Sequence, residues 1–243
     1  MDVVNKLLRD RPTFHKKGTS RWDSLPGTLR AIQQSVRDGN RTLETGCGAS
    51  TVVFAAQGAR HTVLSPDPEE QEHVRKYLKQ IGVDDSRLIS IVGLSDLVLP
   101  DLCTERVLDV ALIDGAHSFP YPAIDWHYIS RALKIGGKLI IDDIPIPATA
   151  YVFRFMQSDP AWRLDAILDD RAAAFTLIDE PPPEDYTLQP FNWRPDYGFA
   201  PLPTRARLRL ASDITRFRQL VGSRYPSLRR AWRQLSGAAD PDA

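Results

Sequence analysis

The chain has 243 residues, of which 42% are hydrophobic and 26% are charged, and this composition argues against a wholly disordered protein. The length suits one α/β domain with a full core. No apolar run reaches the roughly 20 residues of a membrane-spanning helix, and the N-terminus lacks the pattern of a secretory signal. We therefore expect a cytoplasmic protein without a transmembrane segment. Two cysteines, Cys47 and Cys103, exclude a disulfide scaffold.

The net charge of zero conceals an uneven distribution of charge along the chain. Residues 1–203 contain 22 Lys and Arg against 28 Asp and Glu, whereas residues 204–234 contain nine arginines and one aspartate. The body has no basic excess, so we expect no nucleic-acid partner for it. The basic tail has three interpretations: docking on the acidic body of its own or a second subunit, adhesion to an anionic membrane, or RNA binding. Docking is the simplest, and on a second copy it would produce a homo-oligomer.

The predicted elements begin with a leader of residues 1–25, which is either a lid over a ligand cleft or a terminus without fixed structure. A helix over Pro26–Arg37 begins at a proline and is closed by Gly39. Short apolar runs then alternate with helical segments as far as residue 178. The predicted strands are Thr42–Thr45, His61–Ser65, Leu88–Val92, Leu108–Ile113, Lys138–Asp142, Arg163–Leu168 and Ala173–Ile178, and the helices between them include Glu69–Ile81 and Tyr121–Leu133.

This alternation predicts a parallel sheet covered on both faces by helices. The last two strands are joined only by Asp169–Ala172, which is too short for a parallel crossover, so we expect an antiparallel hairpin there. The fold class is therefore α/β: a doubly wound, mostly parallel seven-stranded sheet with an antiparallel C-terminal edge hairpin, over residues 26–180. Residues 181–203, with seven prolines, predict an extended linker, and residues 204–243 an Arg-rich helical tail.

A glycine-rich turn follows the first strand, in the run Glu44-Thr45-Gly46-Cys47-Gly48-Ala49-Ser50-Thr51. Two glycines one residue apart allow a tight turn and let a ligand lie against bare backbone. A dinucleotide site would have a third glycine where Thr51 stands, and a P-loop would need Gly-Lys-Ser/Thr, so neither pattern matches. Glu44 is out of place beside a pyrophosphate and suits a ligand with an ammonium group. A turn without a ligand is the alternative.

This run resembles motif I of the class I S-adenosylmethionine (SAM)-dependent methyltransferases. Leu112–Phe119 resembles the I-D-G-x-H-x-Y signature of an O-methyltransferase-like branch, and Lys134–Asp143 resembles the K-x-G-G-x-hydrophobic-D-D stretch that follows it. The resemblance covers about residues 26–178 and implies a Rossmann-like methyltransferase fold that binds SAM. It also implies cofactor contacts from Glu44, Thr45, Gly46, Gly48, Ser50, Thr51 and Asp114.

One departure from the family concerns the ribose of SAM. The second strand of these enzymes usually ends in an acid whose carboxylate bonds both ribose hydroxyls, but Ser65 stands at this position. Asp67, two positions later, either takes the ribose role or caps the helix that begins near Pro68. Ser95 falls where the family contacts adenine, although a plain turn explains it as well.

Three aspartates follow the fourth and fifth predicted strands: Asp114, Asp142 and Asp143. The carboxyl ends of parallel strands meet at one edge of the sheet, so these groups should crowd together. Crowded carboxylates repel one another, and one stays protonated unless a metal ion, Lys or Arg joins them. Oxygen ligands favour Mg²⁺ or Mn²⁺, and the resemblance implies a metal at these positions in some relatives. Alternatively, the carboxylates cap backbone amides and contact substrate.

His117 lies three residues after Asp114, in the same turn. A histidine at the mouth of a ligand cleft can take the proton that methylation of a hydroxyl releases, and the resemblance implies the same role. Alternatively, it bonds a backbone carbonyl. The sequence thus predicts SAM-dependent O-methylation of a small-molecule hydroxyl, assisted by a metal ion or by His117 alone. Two rivals are a relative with other chemistry and a non-catalytic scaffold or regulatory subunit that acts through the tail, which Ser65 favours.

Overall fold

The computed structural model describes residues 2–15, 24–180, 189–193 and 195–224, with side chains as far as residue 214. The chain divides into two compact units, residues 1–183 and 184–243. Within the described ranges, no helix is both long and apolar enough to cross a membrane. Lys16, Lys17 and Trp22 of the predicted lid lie outside these ranges, as do much of the Pro-rich linker and residues 225–243 of the tail. The lid and the docking of the tail on a second copy therefore stay predictions.

The first unit alternates helices and strands along the chain. Its elements are α1 (Val3–Asp10), α2 (Pro26–Ser35), β1 (Arg41–Thr45), α3 (Ala49–Ala56), β2 (Arg60–Ser65), α4 (Pro68–Gln80), β3 (Leu88–Val92), α5 (Ser95–Leu102), β4 (Leu108–Ile113), α6 (Tyr121–Ala132), β5 (Leu133–Ile141), α7 (Pro147–Ser158), β6 (Trp162–Leu168) and β7 (Ala172–Leu177). The second unit contains a 3-10 turn (Pro190–Trp193) and α8 (Leu202–Arg224).

The seven strands form one sheet in the order β3-β2-β1-β4-β5-β7-β6. The pairs among β1 to β5 are parallel, and β7 runs antiparallel to both of its neighbours. Thr45 at the end of β1 pairs with Ile113 at the end of β4, and Ile113 pairs with Ile141 at the end of β5. The carboxyl ends of these strands are therefore level. The predicted fold class, including the antiparallel hairpin, is confirmed.

The core consists of two apolar clusters, one on each face of the sheet. Val110 and Leu112 of β4 join the cluster under α1 to α4, whereas Ala111 and Ile113 join the cluster under α5 to α7. Consecutive residues of a strand point to opposite faces, so a strand covered on both faces must be apolar throughout. This requirement explains why β7, with the sequence AAAFTL, is buried along its whole length.

The largest differences from the sequence prediction concern three elements, and the other predicted bounds differ by at most one residue. The leader contains an unpredicted helix, α1, which Asp2 caps through Asn5 and which buries Val3 and Leu7. The helix predicted to end at Arg37 ends at Ser35. The strand predicted over Lys138–Asp142 begins earlier, at Leu133, because a register shift against β4 accommodates the intervening glycines, and it ends one residue sooner.

Candidate active site

The loop between β1 and α3 is a tight turn that only glycine can make. Gly46 has a φ of +94°, and a Cβ atom there would collide with the carbonyl oxygen of Asp114 at the end of β4. The Gly48 amide donates to Thr51 Oγ1 over 3.0 Å, which fixes the loop to the first turn of α3. The backbone of the loop is thereby held at the carboxyl edge of the sheet with no side chain above Gly46.

A cavity of about 520 Å³ opens at this edge, a volume typical of small-molecule sites. Ten of the predicted site residues line it: Thr45, Gly46, Gly48, Ser50, Ser65, Asp67, Ser95, Asp114, His117 and Asp143. His15, one of the residues of the predicted lid, also lines it, and five further lining residues were not predicted: Ser24, Glu70, Tyr121, Ile146 and Arg171. The structure therefore brings most of the predicted residues together and adds groups from the leader, α4 and the β6–β7 turn.

Glu44 and Thr51 lie beside the cavity rather than on its wall. Glu44 is fully buried, accepts a hydrogen bond from the Thr51 hydroxyl and pairs with His61 Nε2 at 3.0 Å. Thr42, two residues earlier on the same face of β1, bonds the other nitrogen of His61 at 2.8 Å. The ring of His61 stacks on Phe54. The contacts of Glu44 thus stabilise the packing of β1, β2 and α3.

The three predicted acidic residues do meet, and an arginine joins two of them. Arg171, in the β6–β7 turn, lies with its Nε 2.6 Å from Asp143 Oδ1 and 3.5 Å from Asp142 Oδ1. The Ile144 amide donates to the Arg171 carbonyl at 2.9 Å, which ties that turn to the end of β5. Asp143 adopts a φ of +54°, in the left-handed region that aspartate tolerates better than most residues. The guanidinium supplies the positive charge that the crowded carboxylates require.

The environment favours protonation of two of these carboxyls. Burial raises the pKa of Asp114 well above its usual range, and the charge of Asp142 raises it further. The Ser24 hydroxyl, which donates to Asp114 Oδ2 at 3.1 Å, acts in the opposite direction. Burial also raises the pKa of Asp142, while the charge of Arg171 opposes this effect. Asp114 therefore binds a proton more readily than an exposed aspartate does.

His117 is held by a carboxylate rather than by a backbone carbonyl. Its Nδ1 lies 3.2 Å from Asp143 Oδ2, whereas its Nε2 lies 3.8 Å from Asp114 Oδ1, too far for a hydrogen bond. Nε2 is buried and has no hydrogen-bond partner in the described part of the chain. Nδ1 thus faces the Asp143 carboxylate, and Nε2 is the ring nitrogen without a partner among the described residues.

The donor set does not fit the predicted metal site. The guanidinium of Arg171 already contacts two of the three carboxylates, and Asp142 does not line the cavity. Across residues 2–15, 24–180 and the described parts beyond, no three His, Cys, Asp or Glu side chains are arranged to hold a metal ion. The geometry therefore does not support metal binding by Asp114, Asp142 and Asp143. Sequence analysis allowed for an arginine here but could not identify Arg171.

The wall at the end of β2 is built around Ser65. The Ser65 hydroxyl donates to Glu70 Oε2 at 3.0 Å, and His15 Nδ1 lies 2.6 Å from Glu70 Oε1. Asp67 Oδ1 accepts from the Glu69 amide at 2.9 Å and caps α4, so the capping interpretation of Asp67 is confirmed. Asp67 also lines the cavity.

Asp125 of α6 is a buried residue that sequence analysis missed. Burial raises its pKa to about 6, and the nearby hydroxyls of Ser95 and Thr45 partly offset this effect. Because both of those residues line the cavity, Asp125 lies close to the cavity wall. Cys47 lines the cavity and is a buried thiol whose pKa is raised by burial and by the charge of Glu44.

The strand order, the glycine turn after β1 and the cavity above the carboxyl ends of the strands are features of the Rossmann-like methyltransferase fold. Residues 43–144 match a family model described as a methyltransferase domain. The chain is also similar, with 32% identity over 121 residues, to the ubiquinone biosynthesis O-methyltransferase of Methylocella silvestris. That match covers 46% of this chain and 47% of the relative, so the chain spans about half the length of the relative.

Solved structures with low sequence identity share the fold. A methyltransferase from Podospora anserina with bound SAH has a TM-score of 0.57 and 19% identity, and the match covers 74% of this chain and 89% of that one. A putative O-methyltransferase from Klebsiella pneumoniae has a TM-score of 0.55 and 17% identity, with 74% and 91% covered. The assignment to the branch with the I-D-G-x-H signature stays a prediction.

Proposed function

We propose that this protein is an O-methyltransferase that transfers the methyl group of SAM to a hydroxyl of a small molecule, with His117 as the general base. The observation that carries the proposal is the environment of His117. His117 lines the cavity, its Nδ1 lies 3.2 Å from the Asp143 carboxylate, and its buried Nε2 has no partner among the described groups. The names of the Methylocella silvestris and Klebsiella pneumoniae relatives agree with oxygen as the methyl acceptor.

The cavity suits SAM because its floor is bare backbone. The turn at Gly46 and Gly48 would lie under the methionine and ribose portions, with Thr45 and Ser50 beside them, and Ser95 would lie near the adenine. When bound, SAM supplies a methyl group already activated by a positively charged sulfur. The remaining tasks for the protein are to orient the acceptor, exclude water and remove one proton.

His117 Nε2 would accept the proton of the acceptor hydroxyl as that hydroxyl takes the methyl group that SAM would supply, leaving SAH. The Asp143 carboxylate, 3.2 Å from Nδ1, would orient the ring and stabilise the imidazolium that results. Arg171 in turn fixes the Asp143 carboxylate from its other oxygen. In this proposal His117 removes the proton, Asp143 orients His117, and Arg171 fixes Asp143.

The mechanism uses His117 without Mg²⁺ or Mn²⁺. The contact of Arg171 with Asp142 and Asp143 supports this choice, because a divalent ion would have to displace the guanidinium from both carboxylates. We therefore expect methyl transfer to continue after the protein has been treated with a chelator. Restoration of a chelator-inhibited reaction by Mg²⁺ or Mn²⁺ would instead support the metal-assisted mechanism predicted from the sequence.

The test is transfer of labelled methyl from SAM to a panel of phenolic and aliphatic hydroxyl compounds. We expect His117→Ala to lower kcat by about 10²- to 10⁴-fold, the usual contribution of a general base, with SAM affinity unchanged. His127→Ala is the matched control, because His127 lies on α6 and does not line the cavity. Tight SAM binding without transfer to any acceptor would favour the non-catalytic alternative. Equal rates for both variants would refute the role of His117.

A further inference from the structure

Ser65, at the end of β2, has a hydroxyl at a position where a carboxylate could accept the hydrogen bonds of a ribose. Ser65 is 1% exposed, and its hydroxyl both accepts from the Asp67 amide at 3.2 Å and donates to Glu70. A serine hydroxyl has one proton to donate, so Ser65 has no donor left for a ligand and its acceptor capacity is partly used. Ser65 orients the carboxylate of Glu70, and a carboxylate is a stronger hydrogen-bond acceptor than a serine hydroxyl.

We propose that Glu70, in the first turn of α4, is the carboxylate that accepts the hydrogen bonds of the two ribose hydroxyls of the cofactor. Ser65 and His15 are then positioning residues that hold Glu70 against the cavity. This inference rests on the proposed function, because it assigns a further residue to the same cofactor site.

The hydrogen bonds of Glu70 leave room for two more donors. An ionised carboxylate has about four acceptor positions. Ser65 occupies one on Oε2, and His15 occupies one on Oε1. With respect to the described residues, one position on each oxygen remains, which matches the two neighbouring hydroxyls of a ribose. The side chain of Glu70 is only 16% exposed and lines the cavity, so these positions face a site largely shielded from bulk water.

His15 is held over the glycine turn by contacts of the preceding residue. Phe14 is 1% exposed and packs edge to face on Tyr77, and its carbonyl pairs with His73 Nδ1 at 2.9 Å. Both partners belong to α4, the helix that carries Glu70. The His15 ring is 3.5 Å from the position that a Cβ atom would take at Gly48. The leader thus brings an imidazole between the glycine turn and Glu70, on the wall where a ribose above the turn would lie.

Asp67 is the competing residue, since it lines the same cavity. Its Oδ1 already accepts the Glu69 amide, and this bond caps α4. Rotation of the carboxylate toward a ribose would break this cap and destabilise the first turn of α4. Glu70 needs no such rearrangement, because both of its present bonds orient it along the cavity wall.

The experiment is calorimetric titration of the full chain with S-adenosylhomocysteine and with its 2′,3′-dideoxyribose analogue. We expect the wild type to bind the analogue about 10- to 100-fold more weakly, since hydrogen bonds to a charged group are lost. We expect Glu70→Gln to bind S-adenosylhomocysteine more weakly than the wild type does, by a similar factor. We also expect the affinities of this variant for the two ligands to differ far less. Glu69→Gln, which alters the neighbouring exposed carboxylate, should behave as the wild type.

The ratio of the dissociation constants of the two ligands distinguishes a loss of ribose binding from general damage to the fold. If Glu70→Gln weakens both ligands equally, Glu70 only supports the structure and the proposal is wrong. The proposal is also wrong if the wild type does not distinguish the ligands, or if the discrimination disappears in Asp67→Asn and persists in Glu70→Gln. Failure of the wild type to bind S-adenosylhomocysteine at all would refute the proposed function itself.

Discussion

Asp125 provides a quantitative test of the electrostatics near the cavity. The residue is 1% exposed, and burial raises its pKa from 3.8 to about 6. Between these two values the folded state binds a proton that the unfolded state has released, so the stability of the fold decreases as the pH rises through this window. The difference of about 2 pKa units corresponds to roughly 3 kcal/mol once the pH exceeds the folded-state pKa.

We therefore expect Asp125→Asn to be more stable than the wild type at pH 8, by about 3 kcal/mol, because asparagine cannot ionise. The advantage should shrink as the pH falls through the folded-state pKa and disappear at about one pH unit below 3.8, where aspartate is neutral in both states. Urea denaturation of both proteins across this pH range measures the difference directly. Asp101→Asn is the control, since Asp101 is exposed on α5 and should give a small difference without this pH dependence.

Two outcomes would refute this account of Asp125. A stability difference that does not vary with pH would show that packing, rather than ionisation, distinguishes the two side chains. A less stable variant at pH 8 would show that the carboxylate contributes more through the hydroxyls of Thr45 and Ser95 than it loses through burial.

Two further substitutions test the glycine turn and the arginine of the acidic cluster. Gly46→Ala should destabilise the fold by at least about 2 kcal/mol in urea denaturation, because it combines a positive φ with a backbone collision. Gly82 has a φ of +71° and open space around it, so Gly82→Ala should destabilise the fold by only about 1 kcal/mol. Equal losses of stability in the two variants would contradict the predicted collision at Gly46. Arg171→Met should cost about 3 kcal/mol of stability in urea denaturation, since the buried carboxylates of the cluster lose their cation. Arg163→Met, at an exposed ion pair, should cost less than about 1 kcal/mol, and equal losses for the two variants would contradict this account of Arg171.

Most of the fold could be predicted from local patterns. The alternation of strands and helices indicated the doubly wound sheet, and the short Asp169–Ala172 connection indicated the antiparallel hairpin. The helix α1 escaped prediction although Asp2 precedes apolar residues at helical spacing, because eight residues form a weak periodic signal. Its stability comes from tertiary packing of Val3, Val4 and Leu7 in the core, which no local pattern reports.

The candidate site was predictable only where residues follow the ends of strands. Asp114 and Asp143 could be placed together because parallel strands end at one edge. Glu70 looked like one more acid in a polar first turn of α4, and His15 belonged to a leader without a periodic pattern. Their contact joins residues 55 positions apart and depends on how the leader packs on α4. Such a contact follows from the tertiary fold and has no local sequence signal.

The antiparallel hairpin has a chemical consequence as well as a topological one. In a wholly parallel sheet, the strand next to β5 would begin at the edge remote from the cavity. Because β7 is antiparallel, its first residues lie at the carboxyl end of β5, where Ala173 pairs with Ile141. Arg171, two residues before Ala173, is therefore carried to Asp142 and Asp143. The reversal of one strand thus delivers a fixed cation to a cluster that other strands make acidic, and this cation holds the carboxylate that orients His117.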